Sequence, residues 1–208
     1  MTNPYPRLDC TFFERPTAEV AVDLISCTLW RSTATGVTAG RIVESEAYLN
    51  EADRASHAAW SKRGQDVMKR APGTVYIYRS YGLHWMFNIV AHLPETVGAV
   101  LIRAVEPLQG IERMQERRKK IDVKQLASGP GKLCQAFGID EALHKVDLTT
   151  SDEVWISPRT DAPPIVIGER IGITKSADLP LRFFEAGNRY VSAHRRGVPF
   201  SCEMLPSS

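Results

Sequence analysis

Val37-Thr-Ala-Gly-Arg-Ile-Val-Glu-Ser-Glu-Ala-Tyr-Leu49 is rich in β-branched residues and reads as one long strand. It is entered through Thr35-Gly36, a turn signal. Residues two apart on a strand share a face, so Glu44, Glu46 and Tyr48 are expected to point the same way. Upstream, Val20, Ala21, Leu24 and Ile25 recur at helical spacing, which predicts a helix opening at Thr17 and running to about Cys27. Downstream, Asn50 to Arg70 is polar and without periodicity, and is expected to be a long surface excursion. A second β region follows Pro72-Gly73: Thr74 to Arg79, a turn at Tyr81-Gly82, then His84 to His92. Gly98 to Val105 is mostly apolar, as a central strand covered on both faces would be.

Pro107 suits a first helical residue, with Leu108, Ile111 and Met114 on one face of a helix ending near Lys120. Ser128-Gly129-Pro130-Gly131 breaks the chain before a short helix through Phe137, which Gly138 closes. Val154 to Ile156, Ile165 to Ile167 and Arg170 to Thr174 are short strand candidates. Strands and helices do not alternate regularly, which predicts an α+β fold rather than a parallel doubly wound sheet. The expectation is a single compact domain over residues 1–208, a curved, largely antiparallel sheet flanked by helices.

With 208 residues and 43% hydrophobic content the chain can bury one substantial core. No apolar run reaches the roughly 18 residues of a membrane span, and Met1 to Arg15 lacks the apolar stretch of a signal peptide. A cytosolic or nuclear compartment is therefore expected. Cys10, Cys27, Cys134 and Cys202 show no paired spacing and read as buried free thiols. The five histidines, His57, His84, His92, His144 and His194, have no metal-ligand spacing, so neither metal nor cofactor is expected. The formal net charge is only +2, but basic residues cluster: Lys62, Arg63, Lys69 and Arg70; Arg113 with Arg117, Arg118, Lys119 and Lys120; His194, Arg195 and Arg196. Such clusters suit phosphates and suit solvated helix faces equally well.

Three stretches carry candidate chemistry. Glu44 and Glu46 lie among Ile42, Val43, Ala47 and Leu49, and a carboxylate in apolar company is a candidate general base. Tyr76-Ile-Tyr78 and Tyr81-Gly82 place three tyrosines beside a turn, which fits core packing and also a base-stacking platform with an exposed wedge. Arg103 sits inside an apolar strand, where a guanidinium must find a carboxylate, a phosphate or a ligand. Glu44 or Glu46 would satisfy it.

Read in order, these motifs resemble a known family. Arg41-Ile-Val-Glu-Ser-Glu-Ala-Tyr48, Ala55-Ser-His57, Pro72-Gly73, Tyr76-Ile-Tyr78, Tyr81-Gly82, Asn88, Leu101-Ile-Arg-Ala-Val-Glu-Pro107 and Ser128-Gly-Pro-Gly-Lys-Leu-Cys134 are similar to the alkyladenine (3-methyladenine, or methylpurine) DNA glycosylases. Arg170-Ile-Gly-Ile-Thr-Lys175 and Leu181-Arg-Phe-Phe184 extend the likeness over nearly the whole chain. The resemblance implies a monofunctional, metal-free enzyme that flips an alkylated or deaminated purine out of duplex DNA and hydrolyses its glycosidic bond.

The resemblance also assigns residues. It makes Glu46, rather than Glu44, the base that deprotonates water, with Arg103 helping to hold that water. Tyr48 and Tyr78 would sandwich the base, and His57 would line the same pocket. Asn88 would oppose the exocyclic amino group of guanine, Leu101 would lie near the water and sugar, and Tyr81 would fill the gap in the duplex. The implied partner is double-stranded DNA bearing purine lesions, met by a monomer, in the nucleoid of a bacterium or the nucleus of a eukaryote. Two stretches depart from the family pattern. Ser61-Lys-Arg-Gly-Gln-Asp-Val-Met-Lys-Arg70 stands where a Thr-x-Arg element and Met-Phe are usual, and Arg79-Ser80 where apolar residues are common. A non-catalytic binder of distorted DNA is the alternative these residues leave open.

Overall fold

The computed structural model describes residues 5–192 and 196–205. A short helix α1 (Cys10–Phe13) leads into α2 (Thr17–Asp23) and then β1 (Thr28–Thr33). The long strand β2 (Gly36–Tyr48) follows a tight turn. Helices α3 (His57–Trp60) and α4 (Lys62–Met68) come next, then the hairpin β3 (Val75–Ser80) and β4 (His84–Val90) and the strand β5 (Ala99–Gln109). Helices α5 (Ile111–Arg118) and α6 (Pro130–Phe137) precede the short strands β6 (Val154–Ser157), β7 (Ile165–Gly168), β8 (Arg182–Glu185) and β9 (Val198–Pro199).

All nine strands belong to one open sheet of order β3-β4-β5-β2-β8-β7-β9, with β1 and β6 branching from β2. Every pairing is antiparallel, and the class is α+β. β2 organises the sheet because it is long enough to serve three neighbours. β5 runs along one edge, while β1 pairs its first half and β8 pairs Glu44 to Glu46.

The alternation of side chains separates a core face from a second face. Val75 and Ile77, Phe87 and Ile89, Val100 and Ile102, and Ala47 enter the main core, against Val20 and Ala21 of α2, Leu24 at its C-terminal cap, and Leu133, Ala136 and Phe137 of α6. Ser45 faces the same way and donates to the Ala21 carbonyl at 2.7 Å. The intervening residues of these four strands all turn to the other face.

Several expectations are corrected. α2 stops at Asp23, because the chain must bend for Ser26 and Cys27 to bond with Ile42. Asn50 to Arg70 is no loose excursion: Ser56 and Ser61 cap α3 and α4, and Ala58, Val67 and Met68 pack on Tyr76, Val90 and Ala99. Pro107 lies within β5 opposite Gly40, beyond the last residue paired with β4, so its missing N–H costs no ladder bond on that side. The helix begins only after Gly110, whose φ of 70° favours glycine. Arg170 to Thr174 is not a strand, since its first two residues turn inward to polar groups of β2 and the following loop. Cys27 and Cys134 are buried, but Cys10 and Cys202 are exposed.

Candidate active site

The second face of the sheet assembles the site by register alone. Tyr76 pairs with Asn88, Asn88 with Leu101, Leu101 with Glu46, and Glu46 with Arg182, giving one row across β3, β4, β5, β2 and β8. Tyr78 and Met86 form a neighbouring cross-strand pair, and Ala99 with Tyr48 another. Directly opposed residues share a face, so a single row places chemistry from five strands side by side.

At Arg103 the ladder is irregular. Between the pairs Ile42–Val105 and Ser45–Ile102, Val43 and Arg103 have no direct partner. These compensating bulges set the Arg103 guanidinium between two carboxylates. Its Nε donates to Glu44 Oε1 and its Nη1 to Glu46 Oε2, both at 3.1 Å.

The two glutamates differ in what else they accept. Glu44 Oε1 also takes Arg182 Nε (2.7 Å) and Ser192 Oγ (2.8 Å), and its Oε2 takes the Ser192 N–H (2.8 Å). Burial works against its charge, but Arg103, Arg182 and the Ser192 amide outweigh burial and hold its pKa below the ordinary carboxylate value. It accepts four hydrogen bonds in all, three on Oε1 and one on Oε2. Glu46 accepts the Ile171 N–H on Oε1 (2.7 Å), and the Tyr48 hydroxyl (2.8 Å) and Arg103 on Oε2. Among the described residues it accepts three hydrogen bonds, one fewer than Glu44. Both glutamates are sealed from solvent, and Glu46 lies beneath Tyr48, Leu101 and Arg103, which line the cleft.

Above this floor stand aromatic walls. Tyr48, Ala55, His57, Met68, Tyr76, Tyr78, Asn88 and Ala99 enclose the inner end of the cleft, and Trp60, Arg63 and Tyr81 stand toward its mouth. His57 Nδ1 is 2.6 Å from the Tyr76 hydroxyl, and its ring lies 4.3 Å from that of Tyr78. Burial lowers the His57 pKa to about 4, so the imidazole is neutral at physiological pH. Burial raises the Tyr76 pKa to about 12 and that of Tyr48 well above its usual value, helped there by the Glu46 charge; these phenols stay protonated. Asn88 is fixed by Nδ2 bonds to the carbonyls of Tyr76 (3.1 Å) and Met86 (3.4 Å).

Tyr81 is 90% exposed at the tip of the β3–β4 hairpin. Both Tyr81 (φ 51°) and Gly82 (φ 69°) have positive φ, and the Leu83 N–H closes the turn on the Ser80 carbonyl at 3.0 Å. A bulky side chain in that region is strained and marks a candidate functional residue. Arg79 is accounted for by its cross-strand partner: its guanidinium lies 4.2 Å from the Trp85 ring.

Of the eight residues to which the resemblance assigns a role, seven line one cleft or its rim and Glu46 lies beneath it. Missed were Asp53, Arg170, Ile171, Arg182 and Ser192, which hold the floor from distant parts of the chain. Of the basic clusters, Arg63 reaches the cleft, whereas Arg113 and Arg117 bond to the Thr35 and Ala136 carbonyls at the far end of β2. His194 and Arg195 lie outside the described residues. Among the described residues no cluster of three His, Cys, Asp or Glu side chains is placed to hold a metal ion, and no helix is long and apolar enough to cross a membrane.

The sequence model of the methylpurine-DNA glycosylase (MPG) family matches residues 11–189. A protein of Chlorobaculum parvum named "Putative 3-methyladenine DNA glycosylase" is 47% identical over 200 residues, covering 93% of this chain and 94% of its own. Proteins of the same name from Methanoculleus marisnigri (47% over 194 residues, 89% of this chain and 98% of its own) and Rhizobium johnstonii (47% over 183 residues, 87% of each) are similarly close.

His57 gives a pH test. The folded protein keeps the imidazole neutral down to about pH 4, whereas the unfolded chain takes up its proton from about pH 6.5 downward. Stability is therefore expected to fall as pH drops through that window, by up to about 3 kcal/mol from this residue. Urea unfolding of wild type and His57→Gln across this range should show a shallower loss in the variant; equal slopes would contradict the assignment.

Proposed function

Because the chain belongs to the methylpurine-DNA glycosylase family, we propose that its cleft receives a purine flipped from duplex DNA and that Glu46 directs water at the exposed glycosidic bond. The observation that carries this is the difference between the two buried glutamates. Glu44 accepts four hydrogen bonds, from Arg103, Arg182 and Ser192, while Glu46 accepts three and touches Tyr48 and Arg103, which line the cleft. Glu44 thus fixes Arg103, and Arg103 fixes Glu46.

In this reading the base enters between Tyr48 and Tyr78, with neutral His57 on the wall, at a stacking gain of roughly 1–3 kcal/mol. Extrusion costs about a few kcal/mol, which Tyr81 offsets by filling the vacated stack. Its strained, solvent-exposed placement at a hairpin tip suits that use. Asn88, whose amide is tethered to the strand, opposes the exocyclic amino group of guanine, and Leu101 packs beside the sugar. Glu46 takes a proton from water as the water attacks C1′, and its carboxylate stabilises the developing oxocarbenium charge. Arg103 helps hold that water.

An N3- or N7-alkylated purine carries positive charge and leaves readily, so 3-methyladenine and 7-methylguanine are the expected substrates. Hypoxanthine and ethenoadenine need added help at the base. Among the described residues no lysine lines the cleft as a nucleophile, so the expected product is an intact strand with an abasic site. The protein acts as a monomer of one domain, wherever the cell keeps its DNA.

Two experiments test this reading. Glu46→Gln is expected to abolish release of 7-methylguanine from duplex DNA while retaining lesion binding; full activity in Glu46→Gln would assign the base to another residue, and no release by the unaltered protein would leave a non-catalytic binder. Tyr81→Gly relieves the positive φ, so its thermal stability should match or exceed wild type while lesion affinity falls on the order of 10-fold. Unchanged affinity would remove the wedge.

A further inference from the structure

Tyr48 has two ring faces, and the one turned away from the cleft is covered by Arg170. The Arg170 guanidinium carbon lies 4.7 Å from the ring centroid, and the side chain is fully enclosed. Asp53 meets this guanidinium with both oxygens, at 2.6 and 2.8 Å. Arg170 also donates to the carbonyls of Ala47 (3.0 Å) and Ser176 (3.1 Å). Asp53 accepts the N–H groups of Leu49 and Ala55, both at 3.1 Å. None of these groups takes part in the hydrolysis derived above.

We propose that Asp53 is a specificity-determining residue: its carboxylate cancels the Arg170 charge behind Tyr48, and so lets the open face of that ring hold a positively charged purine. The inference rests on the cleft being the pocket for the flipped base.

Distance sets the size of the effect. A purine in van der Waals contact with the open face lies about 3.5 Å from the ring, and so about 8 Å from the guanidinium behind it. At an effective dielectric near 20, an uncompensated cation at about that distance weakens binding of a second cation on the order of 10-fold or more. Paired with Asp53, the guanidinium presents a neutral back plate. An uncharged base of the same shape is nearly indifferent to whether the pair is intact. A purely mechanical clamp would act on both bases alike.

The test uses the full chain in a Glu46→Gln background, so that the lesion is not consumed. Affinity is measured in mildly acidic buffer for duplexes carrying cationic 7-methylguanine or its uncharged isostere 7-deaza-7-methylguanine. Asp53→Asn is expected to lower the ratio of cationic to neutral affinity on the order of 10-fold. Adding Arg170→Gln to Asp53→Asn removes both charges and should restore the parental ratio. Removing one member of a buried pair can unfold a protein. Arg170→Gln alone leaves the Asp53 charge behind Tyr48 and should raise the ratio, so whichever single variant folds carries the test: a shift that the double variant reverses supports the proposal, and an unchanged ratio overturns it. A parent protein that binds neither lesion more tightly than undamaged duplex would overturn the base-pocket reading, and this inference with it.

Discussion

Two carboxylates and two guanidiniums are buried together on one face of this sheet, where no solvent screens them. Glu44, Glu46, Arg103 and Arg182 balance in charge, but balance is not enough: each needs its hydrogen bonds met by groups that cannot move away. The strands meet that demand for the two carboxylates and Arg103, whereas Arg182 Nη2 is buried without a hydrogen-bond partner among the described residues. The irregular ladder between β2 and β5 puts Arg103 between the glutamates, and β8 brings Arg182 to the outer one. Ser192 completes Glu44 through both its amide and its hydroxyl. In the proposed mechanism Glu44, with four hydrogen bonds, is the anchor and Glu46 is the base.

The same sheet explains why the pocket needs so few specialised loops. A period of two sends Ile77, Phe87, Ile89, Val100 and Ile102 into the core and leaves Tyr76, Tyr78, Asn88, Leu101 and Arg103 on the other side. A slip of one residue in any of these strands would bury the chemistry and expose the core, so packing itself enforces the site's register. Only the lid is built by other means. The 50–70 segment folds back through α3 and α4 and lays His57 and Met68 over the tyrosines.

The parts legible in the sequence are those that obey this alternation. Glu44, Glu46 and Tyr48 share a face as their spacing predicts, and Arg103 finds both carboxylates, where the sequence left the choice between them open. The Gly138 stop and the hairpin turn at Tyr81-Gly82 were equally plain. What escaped was non-local or too short to show a period. β1 was missed altogether, and α3 and α4 span four and seven residues, too few to establish one. Asp53 and Arg170 are 117 residues apart, and nothing local to either marks the pairing. Pro107 misled because its preference for a first helical turn is also met at an unpaired strand edge.

The central claim is that a water activated by Glu46, and no side-chain amine, breaks the bond. Incubating the protein with a 7-methylguanine duplex in the presence of borohydride tests this most directly. The account predicts free base, an unbroken strand whose abasic aldehyde is reduced in place, and no protein joined to the DNA. A borohydride-stable protein–DNA adduct forming as fast as base is released would contradict it.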